Sequence, residues 1–115
     1  MKAKKVSVQR EGELMNTRLC DLRLQIEGSW LEPYLRQLEQ ELKRKGFIHF
    51  RPHFWLSDEW FCPDGVPGIA IPFYLLSPEL MYLEKKHVGF VEGGTPLSLI
   101  KILRHEAGHA FENAY

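Results

Sequence analysis

Two histidines four positions apart, with a glutamate directly after the first, carry the reactive pattern of this 115-residue chain: His105-Glu106-Ala107-Gly108-His109. At 3.6 residues per turn, positions i and i+4 stack on one helix face about 6 Å apart, so both imidazoles can reach one ion. Neutral imidazole nitrogen suits zinc, with bonds near ~2.1 Å. Glu106 follows one residue on and projects beside such an ion, not onto it. There a carboxylate can take a proton from an activated water. H-E-x-x-H on a helix is therefore a pattern for metal-assisted hydrolysis.

The pattern needs a helix to hold it, and the flanking residues supply one. Thr95-Pro96 opens a helix expected to run over 95–115, with threonine as cap and proline in the first turn. With Leu97 at zero and ~100° per residue, His105 and His109 fall near 80° and 120°. Leu99, Ile100, Leu103, Ala107, Ala110, Phe111 and Ala114 fall between about 200° and 320°. The histidines thus oppose the apolar stripe, so one side of the helix packs on a core while the other faces a cleft. Gly108 leaves room for close approach of a neighbouring segment, at a helix cost of ~1 kcal/mol against alanine.

Catalytic zinc usually has three protein ligands, and only six residues follow His109. Glu112 lies on the metal side of the wheel, but ligands at i, i+4 and i+7 of a straight helix span about 10 Å, too far for one ion. Glu112 and Asn113 are instead candidates for orienting a histidine from behind. Asp64, His87 and Glu92 are the remaining donors that could fold in. His49 and His53 repeat the four-residue spacing, yet Pro52 argues against a helix there, and on a strand they lie about 13 Å apart. Trp55, Trp60 and Phe61 read as core aromatics or as the lining of an apolar pocket.

Upstream, residues 1–17 are polar and without sustained period, and read as a loose N-terminal arm or a frayed first element. Leu22, Leu24 and Ile26 alternate with Arg23 and Gln25, suggesting a short strand broken by Gly28. Ser29-Trp-Leu-Glu32 has the form of a capping box. Leu31, Tyr34, Leu35, Leu38 and Leu42 recur at helical spacing, Lys43-Arg-Lys45 oppose the dipole, and Gly46 supplies a stop, which predicts a helix over 30–45. Phe47 to Leu56 reads as a strand limited by Pro52 to an edge. Residues 57–67 read as a loop, and 69–74 as a second strand. Ser77-Pro78 opens a short helix, and 87–91 reads as a third strand before the Gly93-Gly94 turn. The expected fold is α+β: a small mixed or antiparallel sheet packed against two main helices, the last carrying the histidines.

Composition narrows the setting. Fifteen basic and 15 acidic side chains cancel, which argues against binding nucleic acid or a membrane surface by bulk charge. With 44% hydrophobic and 12% aromatic residues the chain can build a core. No apolar run approaches the ~20 residues of a membrane span. Cys20 and Cys62 have no metal or redox spacing and read as two reduced thiols of a cytoplasmic protein.

Arg104-His-Glu-Ala-Gly-His-Ala-Phe-Glu-Asn-Ala-Tyr115 resembles the active-site helix of zincin metallopeptidases, the gluzincin branch especially. The stretch from Ile69-Ala-Ile-Pro-Phe-Tyr through Glu92-Gly-Gly-Thr to that helix is similar to bacterial zinc-binding metallopeptidases. The resemblance implies His105 and His109 as zinc ligands, Glu106 as general base, and a peptide or protein substrate. It also implies a strand around Val88–Val91 forming a cleft wall and pairing with substrate. In that family the third ligand lies downstream of the motif, usually a glutamate on a later helix. Residues 18–115 would then be the N-terminal subdomain of a longer enzyme, since the last helix ends in mid-pattern. Two other readings stand beside this one: a non-catalytic fragment or pseudoenzyme that binds zinc weakly, and an interaction module in which the motif is incidental. Substrate preference and oligomeric state are not written in the sequence.

Overall fold

A computed structural model of the chain describes residues 4–17, 19–47 and 49–114, with only the backbone of Leu19 and Cys20. Residues 1–3 of the expected arm, Ile48 of the first expected strand, the Cys20 thiol and Tyr115 at the end of the last helix lie outside the described residues. The architecture is α+β. Among the described residues, four α-helices surround a two-stranded sheet in the order α1 (Val8–Met15), α2 (Glu32–Arg44), β1 (His53–Ser57), β2 (Gly68–Pro72), α3 (Pro78–Val88) and α4 (Pro96–Ala114). Short 3-10 turns occupy Leu19–Leu22 and Phe73–Leu76. None of these helices is long and apolar enough to cross a membrane.

The core forms where three apolar patterns meet. Leu31, Leu35 and Leu38 from α2 pack with Ile69 and Ile71 of β2 and with Leu99, Leu103, Ala107 and Ala110 of α4. Leu75 and Met81 close it from the α3 side. Every residue of β2 is buried, which explains why it reads as an unbroken apolar run and not as an alternation.

α2 matches its expected span and stops as expected. Gly46 sits at φ 95°, the Phe47 N–H donates to the Leu42 carbonyl at 2.9 Å, and the Gly46 N–H donates to the Lys43 carbonyl at 3.0 Å. That is the paired hydrogen bonding of a glycine C-terminal stop. The start differs from the capping box. Leu31 occupies the cap position without a side-chain bond, and Glu32 reaches the Gly28 N–H at 3.4 Å instead of Ser29. Ser29 Oγ instead donates to the Ile26 carbonyl at 2.6 Å and accepts from the Leu31 N–H at 3.3 Å. The box is displaced because burial of Leu31 draws it into the first turn of the helix.

The sheet departs from expectation in direction. β1 and β2 run parallel, in a register from His53 opposite Gly68 to Ser57 opposite Pro72, where a mixed or antiparallel sheet was expected. An isolated antiparallel bridge between Phe61 and Ala70 lies within the connecting loop's fold-back. Gly68 makes the parallel pairing possible: a Cβ there would meet the Trp55 ring at 2.5 Å and the His53 carbonyl at 3.0 Å. β1 begins only at His53, so 49–52 of the expected strand is irregular.

Two expected strands are absent. Leu22, Leu24 and Ile26 do alternate in burial with Arg23 and Gln25, but no strand pairs with them, and Arg23 turns the chain at φ 52°. The strand expected at 87–91 is replaced by the end of α3, which runs to Val88 and stops at Gly89 with φ 103°. The start of α3 is as expected: Ser77 Oγ accepts from the Leu80 N–H, and Pro78 takes the first position. The wall implied around Val88–Val91 is therefore a helix end and a loop, with no strand edge there to pair with a peptide.

Of the two readings of the N-terminal segment, the structure shows the first element, α1. Ser7 caps α1, and charge pairs strap α1 to α3: Arg10 to Glu79 at 2.9 and 3.2 Å, Glu11 to Lys86 at 2.7 Å, and Glu11 to the His87 Nε2 at 2.6 Å. Val6, Leu14 and Leu83 form a small apolar cluster beneath. Hydrogen bonds from Lys86 and then His87 hold the Glu11 carboxyl below its ordinary 4.5, and Arg10 does the same for Glu79.

Two outcomes follow. Leu103 is fully buried, so Leu103→Ala should cost roughly 2–5 kcal/mol in urea unfolding, with little change in the slope. A carboxyl whose folded pKa is depressed stabilises above its unfolded value and loses that contribution as pH falls through the folded one. Hydrogen-exchange protection of α1 should therefore drop between about pH 5 and pH 3, ahead of α2 and α4. Equal loss in all three helices would show that the charge pairs do not hold α1.

Candidate metal centre

α4 is fixed at both ends and along one side. Thr95 and Ser98 cap it reciprocally, with the Ser98 N–H donating to Thr95 Oγ1 at 3.3 Å and the Thr95 N–H to Ser98 Oγ at 3.2 Å. Arg104 forms a two-bond pair with Glu41 of α2, at 2.7 and 3.1 Å. Phe111 meets Phe47 and Phe50 edge-on. Near the C-terminus the Asn113 amide donates to the carbonyls of Pro63 and Val66, at 2.9 and 3.0 Å. Leu99, Ile100, Leu103, Ala107 and Ala110 of the apolar stripe are buried as the wheel places them, while Phe111 is half-buried and Ala114 is exposed.

With the helix so oriented, His105 and His109 are both exposed and converge. Their ring centroids are 4.8 Å apart, the planes cross at 79°, and the two Nε2 atoms stand 3.3 Å apart. Two imidazole nitrogens bound tetrahedrally to zinc at ~2.1 Å are separated by about 3.4 Å. The pair thus fits the bite of one zinc ion with little adjustment. Without an ion, the same distance allows one ring N–H to donate to the other ring's bare nitrogen.

Glu106 is half-buried, beyond His109 on the helix wheel. It lines an open hollow of about 310 Å³ with Trp60, Glu92, Lys101, Ile102 and His105. The wall of this hollow is pinned, because the Trp60 indole donates to the Glu92 carbonyl at 3.0 Å and Gly93 lies against the ring. A Cβ at Gly93 would approach Trp60 to 3.0 Å. Round the helix from Glu106, past the histidines, Arg104, Gly108 and Phe111 line an apolar slot of about 220 Å³ against Leu38, Leu42 and Phe47. The histidine pair therefore lies between a polar concavity and an apolar one.

The expected donors do not converge on the pair. Among the described residues, no three histidine, cysteine, aspartate or glutamate side chains are grouped to hold a metal ion. His87 is engaged by Glu11 at the α1–α3 junction. Asp64 is exposed in the loop after β1, and Glu92 approaches only as far as the hollow. Glu112 is exposed, and the Asn113 amide nitrogen is committed to the 62–66 loop, where it also contacts the Cys62 sulfur at 3.3 Å. Asn113 thus positions the helix, in place of the expected role behind a histidine. His49 and His53 are exposed, His53 opening β1. Burial pushes the free Cys62 thiol above its ordinary range, and the Glu106 charge adds to that, so Cys62 is a poor thiolate donor.

Trp60, read in the sequence as a core aromatic or a pocket lining, packs on the core and lines the hollow, but its place beside α4 depends on the fold-back of the loop after β1. Sequence reasoning missed Lys101 and Ile102 as neighbours of the site, and Lys101 was open to detection, since it precedes His105 by one turn. Comparisons with protein-family models, curated proteins and solved structures return no match to this chain.

Proposed function

We propose that this chain carries part of a zinc-dependent peptidase centre of the gluzincin kind, with His105 and His109 as metal ligands and Glu106 as general base. The observation that carries the reading is the 3.3 Å separation of the two Nε2 atoms, beside a glutamate that opens onto a polar hollow. When bound, zinc would supply an acidified water and a polarised scissile carbonyl. Glu106 accepts the proton at its carboxylate and returns it to the leaving amine. Trp60 shields one side of that carboxylate, while Lys101 offers a positive charge at the rim of the hollow. The apolar slot on the far side of the histidines has room for a side chain of a peptide or protein substrate. A third protein donor comes from outside the described residues, as the family pattern downstream of the motif suggests. A reducing, cytoplasmic setting suits the free Cys62 thiol, and neither nucleic acid nor membrane enters the reading.

A second reading rests on the lack of a third grouped donor. In it the pair binds zinc weakly and does no chemistry, or forms only an imidazole–imidazole hydrogen bond.

Calorimetric titration with zinc, together with hydrolysis of an unstructured peptide, separates these. On the catalytic reading, wild-type protein binds zinc, and it cleaves the peptide when the segment that gives the third donor is present. Glu106→Gln keeps the zinc and loses about 10²- to 10⁴-fold in rate. His109→Ala loses both. Zinc binding without Glu106-dependent hydrolysis would select the non-catalytic zinc-binding reading, and no zinc binding at micromolar metal would remove the peptidase reading and leave only the imidazole–imidazole hydrogen bond.

A further inference from the structure

The exposed strip of α4 has a symmetry of its own. Lys101, His105, Gly108, His109 and Glu112 are all exposed and lie within about 100° of the helix circumference. The two histidines are centred on position 107. Lys101 lies about 9 Å before that centre along the axis, and Glu112 about 7.5 Å after it. A twofold axis through the centre, relating antiparallel helices, would therefore set Lys101 opposite the partner's Glu112 and Glu112 opposite the partner's Lys101. It would also bring the two histidine pairs face to face. This is the self-complementary pattern that an isologous contact requires.

Two further features favour close approach. A Cβ built on Gly108 has no atom within 4 Å, so the middle of the strip is open. The pair fills only two positions of a tetrahedral ion, and no third donor is grouped with it among the described residues. A second pair at the same separation supplies the missing two.

We propose that divalent zinc joins two copies of this chain through a four-imidazole site, His105 and His109 from each, with Lys101 and Glu112 setting the antiparallel register. The proposal rests on the zinc-binding part of the reading above and not on its catalytic part. A contact along one helix face buries far less than the ~1,600 Å² of a stable interface, so the metal must supply most of the association. The bridged form leaves no open position for a water, and is a resting state of any hydrolytic centre built on this helix.

The test is the mass of the purified chain by light scattering after size exclusion at micromolar concentration, with zinc chloride or with chelator, and the bound zinc measured on each peak. The expected result is a dimer with one zinc per two chains, reverting to monomer in chelator. His105→Ala should remain monomeric with zinc. Lys101→Glu alone or Glu112→Lys alone should weaken the zinc dimer by about 3- to 30-fold, and the double exchange should restore it. A monomer with one zinc per chain would overturn this inference and leave the proposed centre standing, while a chain that takes up no zinc would overturn both. A dimer that survives His105→Ala, or a double exchange that fails to restore what each single exchange loses, also overturns it.

Discussion

The rotation of α4 about its own axis is the constraint on which the site depends. A rotation of ~100° would carry the histidines into the packing with α2 and β2, or carry Leu103 into water. Four independent contacts fix that angle. The Leu99–Leu103–Ala107–Ala110 stripe supplies the apolar driving force. The Arg104–Glu41 pair, the Phe111 ring contacts and the Asn113 amide then choose among nearby rotations. Exposed charge pairs contribute little stability by themselves. Here the pair between α2 and α4 acts mainly as a register mark, one turn from the site it orients.

The parallel sheet shows how a single small residue can decide a topology. Parallel neighbours usually need a connection of a dozen residues or more, and only Asp58 to Pro67 joins β1 to β2. That loop makes the return by folding back on itself, with Phe61 bridging to Ala70. Trp55 then lies over Gly68, where any side chain would collide with it. The same fold-back delivers Trp60 to the hollow beside α4 and Cys62 to Asn113. One short connection therefore builds both the sheet and a wall of the hollow.

What could be read from the sequence follows the range of the forces involved. α2 and α4 were legible because their caps, stops and apolar stripes are local, and the sides their side chains take follow from 3.6-residue geometry. β2 was legible as an apolar run. Strand direction was not, since pairing is a property of two distant segments, and a ten-residue connection favours the antiparallel choice on general grounds. The alternation at Leu22–Ile26 correctly reports one-sided burial, but burial does not supply a hydrogen-bonding partner, and Arg23 leaves the extended region altogether. At 87–91 the β-prone residues outweighed a better signal: Gly89 is the left-handed stop of a helix whose last turn holds Lys85, Lys86 and His87. The sequence leaves 1–17 open between an arm and a first element because, among the described residues, only Val6 and Leu14 anchor it in a small apolar cluster, and the charge pairs that strap α1 to α3 leave no period.

The histidine pair of α4 and its surroundings pull in different directions. Internal geometry is resolved: two nitrogens at the separation a tetrahedral ion prefers, with a carboxylate at their side. Enclosure is not, because both rings face solvent and the neighbouring carboxylates stop at the hollow's edge. A pair of imidazoles on one rigid helix gives up little conformational freedom on binding an ion, which favours capture of the metal. Yet an ion with two protein ligands keeps two positions open to whatever donor arrives first. Helix geometry places the two nitrogens at the bite of one ion, and on the proposed reading the source of the remaining donors decides what a bound ion would do. Another segment of protein giving one donor leaves room for water and chemistry, whereas a second histidine pair giving two closes the coordination sphere.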